Sequence, residues 1–191
     1  MQDPYITIWT KPRATFEYFF FERKSNSLFA LPFVVYGFSF GLTAGGDMMA
    51  LFDDNPSIGD RLLAYLIASL ISIGLSFLLI GHVQPWMIKI AGKIWNGAAT
   101  TRQLANVSSL SGIPHILILL YQLIILALGK DPSIYAINPL FEYALWVFTF
   151  RIFLIGLSMV QKFSYGIALL NFVISFLPIV ILKLALHNFP N

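Results

Sequence analysis

No cysteine occurs in this chain, and only 11% of its 191 residues are charged. The first absence excludes disulfides, thiolate catalysis and cysteine-ligated metal. The second, together with 58% hydrophobic residues and a mean hydropathy of +0.77, excludes an ordinary soluble domain, in which about a quarter of the residues carry charge. Catalytic signatures are missing too: there is no H-E-x-x-H, G-x-S-x-G, G-x-x-x-x-G-K-[ST] or G-x-G-x-x-G. His82, His115 and His187 stand on separate segments, which does not favour a metal site. No internal repeat is evident, which weakens an inverted-repeat transporter. The expectation is a protein that is not an enzyme and has no catalytic residues, cofactor or metal.

What the chain does have is long uncharged runs. A helix crosses about 30 Å of hydrocarbon with about 20 apolar residues, because it satisfies its own backbone hydrogen bonds. Such runs lie between Lys24 and Asp47, Arg61 and Lys89, Arg102 and Lys130, and Lys162 and Lys183. A further one, Leu140 to Gln161, is interrupted only by Arg151. The expected fold is all-α: a polytopic membrane helix bundle of five transmembrane helices, preceded by an amphipathic interfacial helix. Its parts are a cytoplasmic arm over 1–27, a five-helix domain over 28–187 and a tail over 188–191. The first apolar run follows a charged, aromatic stretch rather than a signal-peptide n-region, so the N-terminus is expected to be retained.

The net charge of +3 and pI near 9.2 read as topology signals rather than as nucleic-acid affinity. With the N-terminus cytoplasmic, that side carries Lys11, Arg13, Arg23, Lys24, Lys89, Lys93, Arg102 and Lys162, while the other has Arg61, Lys130 and Lys183. Asp47, Asp53, Asp54 and Asp60 crowd the first outer loop. Lysine and arginine set orientation, so the bias predicts N-in and C-out. The polar passage "GKIWNGAATTRQLANVSSLSGIP" (92–114) is then a cytoplasmic loop, with Trp86 and Trp95 as interfacial anchors. Thr100 or Thr101 is suited to cap a helix over Arg102 to Val107. Pro114 frees a carbonyl near Leu110 that needs another donor.

In "IWTKPRATFEYFFFERK", Thr10 reads as an N-cap with Pro12 in the first helical turn. Phe16, Phe19 and Phe20 share one face, and Arg13 and Glu17 pair at i,i+4 on another. This helix is expected in the headgroup plane, as an anchor or a partner-docking face. Gly37, Gly41 and Gly45 form a doubled G-x-x-x-G, and Ala64, Ala68, Ser72 and Ser76 offer a matching stripe in the next span. The pairing is either within one chain or between two copies in a homo-oligomer.

Arg151 falls near the centre of its span, where a charge is costly. Depth arithmetic puts His115 and Asn171 within about one helical turn of it, an expected polar midplane cluster. That cluster is a structural hydrogen-bond network, a ligand site or a lipid-headgroup contact.

The opening "IWTKPRATFEYFF", the loop "AGKIWNGAATTRQLANVSSLSGIP" and the later "LIGLSMVQKFSYGIALLNFVISFLPIVIL" together resemble bacterial members of the YIP family of Ypt/Rab-interacting membrane proteins. The residues that carry the likeness are Trp9, Lys11, Pro12 and Arg13; Gly92, Lys93, Ser109 and Pro114; and Gly156, Leu157, Val160, Gln161 and Ser164. The resemblance implies five spans with a cytoplasmic N-terminus, and it implies no catalytic residue. Eukaryotic members bind lipidated Rab GTPases; this chain has only a short arm and lacks their D-L-Y-G-P motif. The expected location is the bacterial inner membrane. The expected role is that of an adaptor or membrane organiser whose cytoplasmic face, with Lys11, Arg13, Lys89, Lys93 and Arg102, meets membrane lipids or a protein partner. A small transporter built around Arg151 is the competing expectation.

Overall fold

The computed structural model of the chain describes residues 3–22, 28–49, 57–132 and 137–187, and among these described residues helix is the only regular structure. Nine α-helices follow one another among these residues. They are α1 (Pro4–Thr10), α2 (Pro12–Glu17), α3 (Leu31–Met49), α4 (Ile58–Leu78), α5 (Gln84–Gly92), α6 (Thr101–Gly112), α7 (Ile116–Ala127), α8 (Pro139–Gln161) and α9 (Tyr165–His187). Arg23, Lys24, Asp53, Asp54 and the tail 188–191, which entered the sequence reading, lie outside the described residues.

Among the described residues, three continuous helical stretches are long and apolar enough to cross a membrane: Ile58–Trp95, Thr101–Ala127 and Pro139–Gln161. The first joins α4 to α5 through a π turn at Leu79–Val83 and closes in a 3₁₀ turn at Lys93–Trp95. Its 38 residues extend about 57 Å at 1.5 Å per residue, well beyond the hydrocarbon. The π turn has a cause in sequence: Pro85 has no N–H for the Gly81 carbonyl, and the wider turn absorbs the mismatch.

In the second stretch, α6 meets α7 through a 3₁₀ turn at Ile113–His115. The Leu110 carbonyl that Pro114 leaves without a donor accepts instead from the Ile113 N–H. At the other end of α6 the cap is Thr100: its hydroxyl accepts from the Gln103 N–H at 3.2 Å, and the Gln103 side chain accepts from the Thr100 N–H at 2.8 Å. This reciprocal box starts the helix at Thr101 and carries it on to Gly112.

α3 and α4 form the most extensive helix pair. A Cβ built on Gly37 would come within 2.5 Å of Ile73 Cα, one on Gly45 within 2.8 Å of Tyr65 Cδ1, and one on Gly41 would collide with the Ser69 backbone. Only glycine allows this approach, so the stripe is occupied within the chain. Gln122 of α7 holds α3 from the side: its Oε1 accepts from Ser39 at 2.6 Å and its Nε2 donates to Thr43 at 3.0 Å.

The N-terminal helices depart from expectation in two ways. Thr10 does not cap a helix but ends α1, which begins earlier because Asp3 Oδ1 accepts from the Tyr5 N–H at 2.9 Å and Pro4 sits at the first helical position. Pro12 then opens α2 after a break at Lys11. Nor do the phenylalanines face the headgroups. Phe16, Phe19 and Phe20 are buried in the main core with Ile8, Leu104, Val107 and Ile152. Trp9 stacks on Phe148, and Phe16 sits against Gly156. These contacts are eight residues apart on α8, so the arm follows about 12 Å of that helix.

α6 is polar in sequence yet buried from Leu104 to Ser111. It supplies partners to the non-helical backbone before α3: Asn106 Oδ1 accepts from the Phe29 N–H at 2.8 Å, and the Ser109 hydroxyl donates to the Phe29 carbonyl. Irregular backbone inside a membrane bundle needs such internal partners.

Candidate functional site

One end of the bundle gathers the basic residues. The chain reverses there through two left-handed residues, Asn96 (φ 56°) and Lys162 (φ 60°). Trp95 meets the Phe163 ring at 6.3 Å, and the Ala99 N–H donates to Gln161 Oε1 at 3.1 Å. Phe16 at Gly156 brings α2 to the same half of α8. Lys11, Arg13, Lys93, Arg102 and Lys162 are exposed, and Lys89 is half-buried. Arg13 pairs with Glu17 at 3.2 Å; in so open a position the pair contributes little stability. Trp86, Ile90 and Ile94 are large apolar side chains exposed on the same stretch as Lys89 and Lys93. Partial burial, and then the Asp3 carboxylate, push the Tyr5 phenol above its ordinary pKa, so it stays neutral beside Phe29.

Just beneath, Gln161 and Asn171 converge on Gly92. A Cβ there would stand 2.5 Å from Gln161 Nε2 and 3.4 Å from Asn171 Nδ2. Both amides are buried, and Gln161 Nε2 and both polar atoms of Asn171 have no hydrogen-bond partner among the described residues. Gly92, which the sequence placed in a loop, is thus the buried last residue of α5, packed against both amides.

Arg151, His115 and Asn171 are not brought together. Arg151 is exposed, on a stripe of α8 with Leu140, Tyr143 and Val147. His115 is buried against the rings of Tyr36 and Trp146, at 5.2 and 4.6 Å. Asn171 belongs to the Gly92 cluster. Residue counting gives depth but not rotation, and rotation about α8 turns Thr149, Ile152, Phe153 and Gly156 inward and Arg151 outward.

A cavity of about 520 Å³ lies between α3, the π turn, α6, α8 and α9. Phe33, Met87, Phe153, Phe172 and Phe176 line it, with Ser108, Thr149 and His115 as polar members. A second cavity of about 200 Å³ borders Ser39, Thr43, Gln122 and Glu142. Tyr36, His115 and Trp146 line both and stand between them. Sequence reasoning singled out His115 but missed Ser108, Thr149 and the aromatic walls. Among the described residues no group of three or more histidine or acidic side chains gathers to hold a metal.

Comparison with protein families, with curated proteins and with solved structures gives no match for this chain. The three spanning-length apolar helices among its described residues mark it as a membrane protein.

Proposed function

We propose that this is a non-enzymatic, five-span inner-membrane protein of the YIP type, with its basic end in the cytoplasm, acting as a membrane organiser that gathers anionic lipid headgroups there. The observation that carries this reading is the set of exposed cations at the α5–α6 and α8–α9 reversals, which Trp95–Phe163 and Ala99–Gln161 contacts bring together. With Phe16, Phe19 and Phe20 buried, the charges exposed on the arm are of both signs, Lys11 and Arg13 with Asp3, Glu17 and Glu22, and Arg13 pairs with Glu17. Lys93, Arg102 and Lys162 have no acidic residue near them in sequence over 84–112 or 156–175, and they stand with exposed Trp86 and Ile94, a mixture suited to an anionic interface. Each basic residue near such a surface contributes about 1 kcal/mol.

The five-span count is supported by α3, whose glycines hold it to α4, and by α9, which packs on α5 and α8. A transport route built around Arg151 is no part of this reading, because Arg151 is exposed and outside the linings of both cavities.

Single cysteines at Ala14 and Ala98, both exposed, carry a photo-crosslinker cleanly in a chain without native cysteine. In native membranes the adducts should be anionic lipids, and Lys93→Glu with Arg102→Glu should reduce them while insertion is kept. One dominant protein adduct from both positions would replace the lipid reading with an adaptor reading. Zwitterionic lipid adducts that are insensitive to the charge reversals would overturn both.

A further inference from the structure

The smaller cavity lies toward the other end of the bundle from the basic residues. Its lining includes Glu142, in the first turn of α8, and Glu142 to Gln161 is about 28 Å of helix. Pro132 and Ile137, on either side of the α7–α8 connection, line it too. Among the described residues of this lining Glu142 alone carries a full charge, and it has no ion pair or hydrogen bond among the described residues. Its side chain is half-buried and its oxygens are not among the enclosed polar atoms, so the carboxylate is open to a ligand in the cavity. The polar groups beside it are already matched, because Gln122 bonds both Ser39 and Thr43.

Trp146 follows Glu142 by four residues, one turn further in on the same face of α8, and lines the same cavity. Its ring meets that of Tyr36 at 87° and 6.4 Å, so the inner wall is a corner of two perpendicular rings, and Tyr121 adds a third aromatic to the lining. Ring faces and a carboxylate are both negative, and both attract a cation. The dipole of α8 accounts for an acidic residue in its first turn, but not for the rings inward of it.

We infer that this cavity binds a compact organic cation, its ammonium head seated between the Glu142 carboxylate and the rings of Trp146 and Tyr36. A hard inorganic cation needs several oxygen ligands, where this lining offers one free carboxylate and polar groups already bonded to one another. An anion would meet no lysine or arginine among the described lining residues. A volume of about 200 Å³ suits a head group. A soluble amine and the head of an aminophospholipid offer the same chemistry.

The test uses the full chain in maltoside micelles at about pH 8, where an ordinary histidine is neutral. The probes are choline and its uncharged isostere, in which a tert-butyl group replaces the trimethylammonium. Saturation-transfer NMR titrations should show the native chain preferring choline by about tenfold or more. Glu142→Gln keeps the size of the side chain and should abolish that preference. Trp146→Leu should weaken choline binding about tenfold, and Trp146→Phe, which keeps a ring face, should weaken it less. Adding phosphatidylethanolamine to the micelles assigns the source: lost choline binding marks a lipid headgroup as the occupant and retained binding a soluble amine, and either supports the ammonium site. Equal binding of the two probes by the native chain would overturn the proposal without recourse to any variant. A folded Glu142→Gln variant that still prefers choline would overturn it as well.

Discussion

The Phe16 ring occupies the space that a side chain at position 156 would need: a Cβ on Gly156 would stand 2.6 Å from Phe16 Cζ. The arm is thus keyed to α8 by a ring-to-glycine contact. Gly156→Leu should expel the ring at a cost of about 1–3 kcal/mol, the usual penalty for overpacking. Limited trypsin digestion reads this at the Arg13–Ala14 bond. Cleavage should be slow in the native chain and at least several-fold faster in the variant, with the rest of the bundle intact.

The α3–α4 contact makes a contrast between two glycines. Gly41 faces the Ser69 backbone, whereas a Cβ on Gly74 would meet nothing within 4 Å. Gly41→Leu should lower the detergent melting temperature sharply. Gly74→Ala should leave it unchanged or raise it by the equivalent of about 0.5–1 kcal/mol, because alanine loses less backbone entropy in a helix.

Two buried amides should respond oppositely to the same substitution. Gln122 has partners on both sides, Ser39 and Thr43, so Gln122→Leu should destabilise by about 1–3 kcal/mol and loosen α7 from α3. Asn171 has none among the described residues, so Asn171→Leu should be neutral or stabilising. Thermal melts of the two variants side by side check this.

Sequence spacing carried furthest where a physical rule is local. A four-residue glycine interval defines one helix face and a close backbone approach, and α4 supplies the approaching backbone at Ser69 and Ile73. Thr100 and Gln103 form a capping box three residues apart. The same rule of local signals would have found the start of α1 in Asp3 and Pro4, where the reading chose Thr10 and Pro12. The burial of the arm was hidden, because an amphipathic face looks alike whether it meets lipid or another helix. The cavity was hidden for a related reason: Phe33, Ser108, Thr149 and Phe176 come from four helices whose relative rotation no periodicity specifies.

Rotation also decides Arg151. It lies near the centre of α8 on an outward face, with no hydrogen bond among the described residues. A central arginine opposes insertion by roughly 2.5–3.5 kcal/mol on translocon scales. Arg151→Leu should therefore insert at least as well as the native chain and melt no lower. A loss of folding would show that Arg151 has a partner in the membrane.

The five-span arrangement fixes which chain segments share a side of the membrane. Single cysteines at Ala14, Ala98 and Lys130, probed with a membrane-impermeant maleimide on intact cells and on inverted vesicles, measure this directly. Positions 14 and 98 should react only in inverted vesicles and position 130 only in intact cells. Positions 14 and 98 on opposite sides, or position 130 on the same side as 98, would contradict the five-span arrangement with its basic end in the cytoplasm.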